Sequence, residues 1–254
     1  MQNTLLIGLS RQVALGRQLD VIANNIANLN TSAFKSDGAL FEAYLSPTAR
    51  AGDLSQKDSG LDFVRDRATW VDWGQGAMQR TGNPLDVAIE GKGFLTVQTA
   101  NGERYTRNGD LQIDARGQLV TSAGDPVLGA NGPIVFQKTD RGVTISKDGT
   151  ISVRTAGSNQ EAARGHLRIV SFQNANQLQK DGNSYYAAPK GVTPDPDKTS
   201  RIMQGAIEKS NVSPVLEMTH MIQVTRSYTE TAEMIAKQAN QQIAAIDKLA
   251  AVPN

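Results

Sequence analysis

An α+β fold is predicted for this chain, with several parts: a helix at each end, packed as a coiled-coil-like pair, and a central antiparallel β domain. Three observations predict it. Near the N-terminus apolar residues fall at Leu15, Leu19, Ile22, Ile26 and Leu29, stepping by four and three. Near the C-terminus Met218, Met221, Thr225, Tyr228, Ala232, Ile235, Ala239, Gln242, Ile246 and Leu249 keep the same rhythm. That is the a/d spacing of helices lying side by side. Between them, short alternating apolar runs are separated by turn signals at intervals of about ten residues, the spacing of an antiparallel sandwich or barrel.

The elements follow in order. Residues 4–29 read as one helix, about 39 Å long at the usual rise per residue. Gly8 and Gln12 weaken its first half, and Asn30-Thr31-Ser32 closes it. Beyond it, Leu40, Phe41, Tyr44 and Leu45 offer a short apolar face, Pro47 punctuates, and Ala68–Gly76 reads as an extended arm or hairpin. Residues 84–205 read as β. Asn101-Gly102 and Asp148-Gly149 sit between alternating segments as hairpin turns. Leu111/Ile113, Leu119, Ile134/Phe136 and Leu167/Ile169 add short strands, and Gly191–Thr199 reads as a loop. Helix returns over 206–250. Ser213-Pro214 suits its start, since proline at the first helical position gives up an N–H that would be unpaired anyway. Arg226/Glu230 and Glu233/Lys237 are i,i+4 pairs for its outer face. The expected division is 1–32 and 206–254 as terminal helices, 33–80 as an arm, and 81–205 as the β domain.

Composition removes several function classes. The 254 residues include no cysteine, which excludes disulfides, thiolate catalysis and Cys–Zn sites. Formal net charge is +1 with no basic stripe, so nucleic acid is not an expected partner. No apolar run approaches the roughly 20 residues of a membrane-spanning helix. The start has no basic n-region and reads as a poor secretory signal.

Chemistry-bearing residues are sparse. There are two histidines, His166 at a strand start and His220 on the C-terminal helix, and no Gly-x-Ser-x-Gly elbow to present a nucleophile. No metal-ligand spacing occurs, Asp195 and Asp197 flank Pro196 in a solvated loop, and Gly91-x-Gly93 lacks the remainder of a dinucleotide fingerprint. No catalytic, cofactor or metal site is expected. Trp70 and Trp73 read as packing anchors rather than a stacking platform for sugar or base. The competing reading from another class is a secreted enzyme or carbohydrate-binding module on a helical stalk. It would require a deep pocket ringed by titratable groups in the β domain.

Three blocks carry a family resemblance. The run from Arg17 to Lys35, containing Asn24, Asn25, Asn28, Asn30 and Phe34, resembles the N-terminal signature of bacterial flagellar rod and hook proteins. Thr81–Phe94 followed by Tyr105-Thr106-Arg107-Asn108-Gly109 resembles the start of that family's β domain, and Ser210-Asn211-Val212-Ser213-Pro214 opens its C-terminal motif. The blocks look most like a proximal rod subunit, with the distal rod subunit as near relative. The resemblance implies a non-enzymatic subunit of the basal-body rod in the periplasmic space. It implies export by the flagellar type III apparatus without a cleavable signal, and copies of itself and other rod proteins as partners. It assigns assembly to Leu15, Leu19, Ile22, Ile26, Leu29, Met218, Met221, Tyr228, Ile235, Ile246 and Leu249. One departure is Ala33, where the family usually has glycine before Phe-Lys; alanine there is expected to be helical or extended.

Overall fold

The structure is a computed structural model. It describes residues 2–46, 61–155 and 161–250, with side chains described over 6–40, 69–155, 161–245 and 247. The chain divides into two compact units, each discontinuous in sequence.

The first unit holds α1 (Gln2–Ala27), strands β1 (Asp37–Ser46) and β2 (Leu61–Val71), and α2 (Pro214–Ala250). The helices run antiparallel against each other. Gly8 of α1 lies so close to α2 that a β-carbon would sit 2.9 Å from Ile235 Cγ1. At the other end Asn25 Nδ2 donates to Glu217 Oε1 at 3.2 Å. Helix α2 starts at Pro214, with the Glu217 N–H bonded to the Ser213 carbonyl at 3.0 Å. Glu217 in the first turn also complements the helix dipole. Strands β1 and β2 pair from Asp37↔Val71 to Ser46↔Leu61, with a bulge between Leu40 and Phe41; of the expected arm or hairpin over Ala68–Gly76, only Ala68–Val71 lies on a strand. Leu40 is exposed; the expected face of Phe41, Tyr44 and Leu45 falls on side chains outside the described residues, as does Pro47.

The second unit holds residues 28–36 and 72–212. Its strands are β3 (Met78–Arg80), β4 (Val87–Glu90), β5 (Phe94–Thr99), β6 (Gly102–Thr106), β7 (Leu111–Ile113), β8 (Leu119–Thr121), β9 (Leu128–Gly129) and β10 (Gly132–Pro133). They continue with β11 (Asp140–Ile145), β12 (Thr150–Thr155), β13 (Glu161–His166), β14 (Ile169–Ser171), β15 (Gln179–Lys180), β16 (Tyr185–Ala187), β17 (Asp195–Pro196), β18 (Arg201–Gln204) and β19 (Ala206–Glu208). The largest sheet has six strands in the order β15-β16-β6-β5-β14-β17, with β11-β12-β13 and several pairs around it. Every described pairing is antiparallel. Val87, Ile89, Leu95, Leu119, Ile151 and Leu167 are at 0% exposure and anchor the main core. A second cluster gathers Phe94, Tyr105 and Tyr186, with Trp73 packed on Phe94 and Tyr186 at centroid distances of 5.4 and 4.8 Å. Trp73 is thus an anchor, with its Nε1 donating to Asn176 Oδ1 at 2.9 Å, whereas Trp70 in the other unit is exposed.

Several expectations are corrected. The stretch 206–213 is not helical: Ala206–Glu208 is a strand paired with Met78–Arg80, and α2 begins only at Pro214. Residues 28–36 and 72–80 belong with the β unit rather than with the terminal helix or the arm. The first hairpin turns one residue earlier than its Asn-Gly suggests, because Thr99 pairs with Gly102 and Gly102 takes the positive φ of +100°. Within the expected loop Gly191–Thr199, Asp195 and Pro196 pair with Ser171 and Val170 at a sheet edge, where proline's missing N–H faces no partner. Asp197 is not merely solvated. It accepts from Thr199, from the Ser200 N–H and from the Ser200 hydroxyl, and that hydroxyl accepts the Gly93 N–H at 2.9 Å. Partial burial raises the Asp197 pKa, but these bonds from Ser200 and Thr199 together outweigh it and hold the carboxyl below its ordinary range.

Candidate functional site

Parts of the three segments that carried the resemblance, Asn28–Lys35, Thr81–Gly109 and Ser210–Val212, lie in the β unit near one buried carboxylate. Alternation along β19 puts Ala206 and Glu208 on the buried side and Ile207 only half-buried. Glu208 therefore enters the interior with both oxygens in use. Lys35 Nζ donates to Oε1 at 2.6 Å, as does the Gly76 N–H at 2.8 Å, while Arg107 Nε donates to Oε2 at 2.9 Å. The two side chains of the Lys35–Glu208 pair are at 0% exposure, and Arg107 is at 3%. Arg107 spends its remaining donors on the carbonyls of Ile89, Gly91 and Gly93, and Lys35 a second one on Gly74 O at 2.6 Å. Burial pulls the Lys35 ammonium below its ordinary value, against the charge and hydrogen bond of Glu208, and Arg107 adds to the lowering. Each buried polar atom is bonded, which is the condition for tolerating such charges.

Asn211 ties the same region together. Its Oδ1 accepts the Ser36 N–H at 2.8 Å, and its Nδ2 donates to Asp72 O at 2.9 Å and Gly74 O at 3.2 Å. Phe34 is buried under Lys180, whose Nζ lies 4.3 Å from the ring centroid and donates to Lys35 O at 2.7 Å. Asn28 turns the chain out of α1, accepting the Thr31 hydroxyl at 3.0 Å on Oδ1. Ser210 Oγ accepts the Val212 N–H at 3.3 Å.

Ala33 contradicts the expectation set by its side chain. Its φ is +56°, the left-handed region, and it is 1% exposed. The conformation lets its N–H donate to Glu208 O at 2.8 Å. An L-residue in this region is strained by about 1–2 kcal/mol. Ala33→Gly should therefore change stability by less than about 1 kcal/mol, because relief of strain is offset by the lost methyl and the freer unfolded chain. Ala33→Val, β-branched and enclosed, should cost about 2 kcal/mol, read as a lower melting temperature for the β unit.

In the helical unit Asn25 has a structural task. At 1% exposure its Oδ1 accepts the Asp37 N–H at 2.9 Å and its Nδ2 donates to Asp37 O at 2.8 Å, clamping the start of β1 to α1. Asn24 and Asn30 are exposed, and Pro214 is exposed at the start of α2. Of the N-terminal seam, Ile22 is 4% exposed, and Leu15, Leu19, Ile26 and Leu29 are half-buried. On α2, Tyr228 and Ile235 are half-buried, but Met218 and Met221 are 54% and 37% exposed. The buried positions there are Val224 and Thr231, each one residue before a seam position. The covered line on α2 is itself spaced by four, three and four through Val224, Tyr228, Thr231 and Ile235, so it shares Tyr228 and Ile235 with the expected seam and differs by one residue at the alternate positions. Thr231 is accommodated by donating its hydroxyl to Ser227 O at 2.7 Å. The side chains of Ile246 and Leu249 lie outside the described residues. A separate apolar set is exposed: Leu6, Leu9 and Val13 on α1, and Val215, Leu216, Ile222, Met234 and Ile243 on α2.

Lys35, Arg107 and Glu208 escaped the sequence reading as a site. A charged residue closing an Ala-Ile-Glu strand reads as the solvent side, and the partner cations lie far away in sequence. His166 ends β13 rather than starting a strand, and both histidines are exposed. Among the described residues no helix is long and apolar enough to cross a membrane.

Comparison with known proteins agrees with this arrangement. Residues 5–35 match the family described as flagella basal body rod protein, residues 88–153 the flagellar hook protein FlgE/F/G D1 domain, and residues 203–243 the flagellar basal body rod FlgEFG protein C-terminal family. The chain is 38% identical to the flagellar basal-body rod protein FlgF of Caulobacter vibrioides over 98% of both chains. It is 32% identical to FlgF of Mesorhizobium japonicum, again over 98% of both. Against FlgG of Buchnera aphidicola from Schizaphis graminum it is 35% identical over 85% of this chain and 88% of the other. These relatives are structural proteins and not enzymes, and the two FlgF proteins named are matched over 98% of both chains: the chain belongs to the flagellar basal-body rod protein family, on its FlgF side.

Proposed function

We propose that the chain is a proximal rod subunit that polymerises through its terminal helices, with copies of itself and other rod proteins, into a helical shaft that transmits torque across the periplasm. In this reading α1 and α2 pair in a coiled-coil-like manner and supply the axial core, and the β domain lies outside. Export proceeds through the flagellar type III apparatus. The observation that carries the reading is the exposed apolar set on both helices. Leu6, Leu9 and Val13 lie one turn apart on α1, and Val215, Ile222 and Met234 stand exposed on α2. Side chains of this size gain about 1.5–3 kcal/mol each when fully buried, and one chain alone leaves them wet. A non-closing contact repeated between subunits would bury them and build a filament. The inward seam, Leu15, Leu19, Ile22, Ile26 and Leu29 against Tyr228 and Ile235, then holds each subunit's own helices. Met218 and Met221 join the outward set.

Val13→Asp tests this directly. Val13 is 62% exposed, so the change should leave folding of the purified chain unaltered. Expression should be normal, rods should fail to assemble, and cells should not spread in soft agar. Normal swimming with assembled rods would show that this face is not between subunits.

A further inference from the structure

The β unit carries a cationic cleft that the helix-based reading leaves unused. It measures about 300 Å³ and lies between the β7–β8 turn and the start of β11, lined among others by Ile113, Arg116, Phe136, Lys138, Arg141 and Val143. Two carboxylates border it, and both are already occupied. Asp114 accepts the Gln118 N–H at 2.7 Å, the Arg116 N–H at 2.9 Å and Arg116 Nε at 3.1 Å. Asp140 takes Arg164 through Nε at 2.7 Å and Nη2 at 2.5 Å, and the Gln137 N–H at 2.8 Å. These bonds, from Gln118 foremost in one case and Arg164 in the other, hold both carboxyls below their ordinary range.

Lys138 and Arg141 are exposed and form no ion pair among the described residues. Strand register adds a second anomaly. Arg141 on β11 stands directly opposite Arg154 on β12, whose other cross-strand neighbour is Glu161. Like charges placed directly opposite destabilise a ladder; Glu161 offsets Arg154 from the other side, while Arg141, on the cleft side, has no carboxylate opposite it. The lining carries three cations, Arg116, Lys138 and Arg141, against the two carboxylates already bonded. The cleft also has apolar surface, with Ile113 40% exposed and Val143 half-buried.

We propose that this cleft docks an acidic peptide segment with interleaved apolar side chains, presented by a neighbouring rod protein. The identity of that neighbour rests on the rod reading; the peptide chemistry does not. A carboxylated polysaccharide would satisfy the cations but offer nothing to Ile113 and Val143, which is why a peptide is favoured.

The test uses the purified full chain and a fluorescein-labelled peptide of alternating glutamate and leucine, followed by anisotropy. Wild type should bind, and binding should weaken as salt rises. Lys138→Glu combined with Arg141→Glu should weaken it at least about tenfold, with the circular dichroism spectrum unchanged, because an exposed charge pattern sets recognition more than folding. Lys190→Glu, at another exposed site, should change it by less than about twofold. A hyaluronate oligosaccharide should not displace the peptide. Equal binding by the double variant, no binding by wild type, or displacement by hyaluronate would each overturn the proposal, whatever the outcome of rod assembly assays.

Discussion

Replacing Glu208 by alanine is expected to lower the unfolding free energy of the β unit by about 3–5 kcal/mol, since it leaves Lys35 and Arg107 in the interior without a counter-charge. For a unit of this size each kcal/mol moves the melting temperature by about 2–4 °C, so the drop should be on the order of 10 °C. Glu208→Gln should fall nearly as far, because the amide keeps the shape and loses the charge. A pH signature separates this from a simple packing defect. In the variant the Lys35 pKa falls further below that of an unfolded lysine, so the unfolded state binds more protons. Stability must then rise with pH between the lowered value and the ordinary lysine range. The variant should regain stability from neutral to mildly alkaline pH more steeply than wild type. A flat profile, or a loss under about 1 kcal/mol, would mean that the triad is not the buried lock the distances describe.

Ile22→Asp is the second large effect. Ile22 is 4% exposed within a single chain, so the lost burial and the enclosed carboxylate act on the fold of the helical unit before any neighbour is met. Together they should cost about 4 kcal/mol. Helical signal at 222 nm should fall while the separate β unit melts as before, and cells should be non-motile. The contrast with Val13→Asp is informative: one removes the internal seam and the helical signal, the other only the outward face. If Ile22→Asp cells build rods and swim, the helices are not the assembly elements.

The helices, the hairpins and the family were legible because their signals are local: spacing, turn residues and short motifs. The details that failed were set by distant partners. Glu208 is pulled inside by cations that no window around it contains. Ala33 adopts a glycine conformation because the Glu208 carbonyl is placed to receive its N–H. Met218 and Met221 fit a heptad rhythm, but the line through Val224, Tyr228, Thr231 and Ile235 fits one equally, and spacing alone does not choose between them. The start of α2 was misplaced because Ala206-Ile207-Glu208 has neutral local preference and pairs with Met78–Arg80 from far upstream.

The Lys35–Glu208 bond joins residues 173 apart in the chain. A nascent polypeptide emerging N-terminus first holds Lys35, Arg107 and the glycine carbonyls long before their carboxylate exists. Until then the interior carries two cations with nothing to neutralise them, and closing it is disfavoured. The β unit is therefore expected to close only once Glu208 is present. Under the export route proposed above, such a delay would favour passage, because the step that commits the chain to a compact shape is kept for the end.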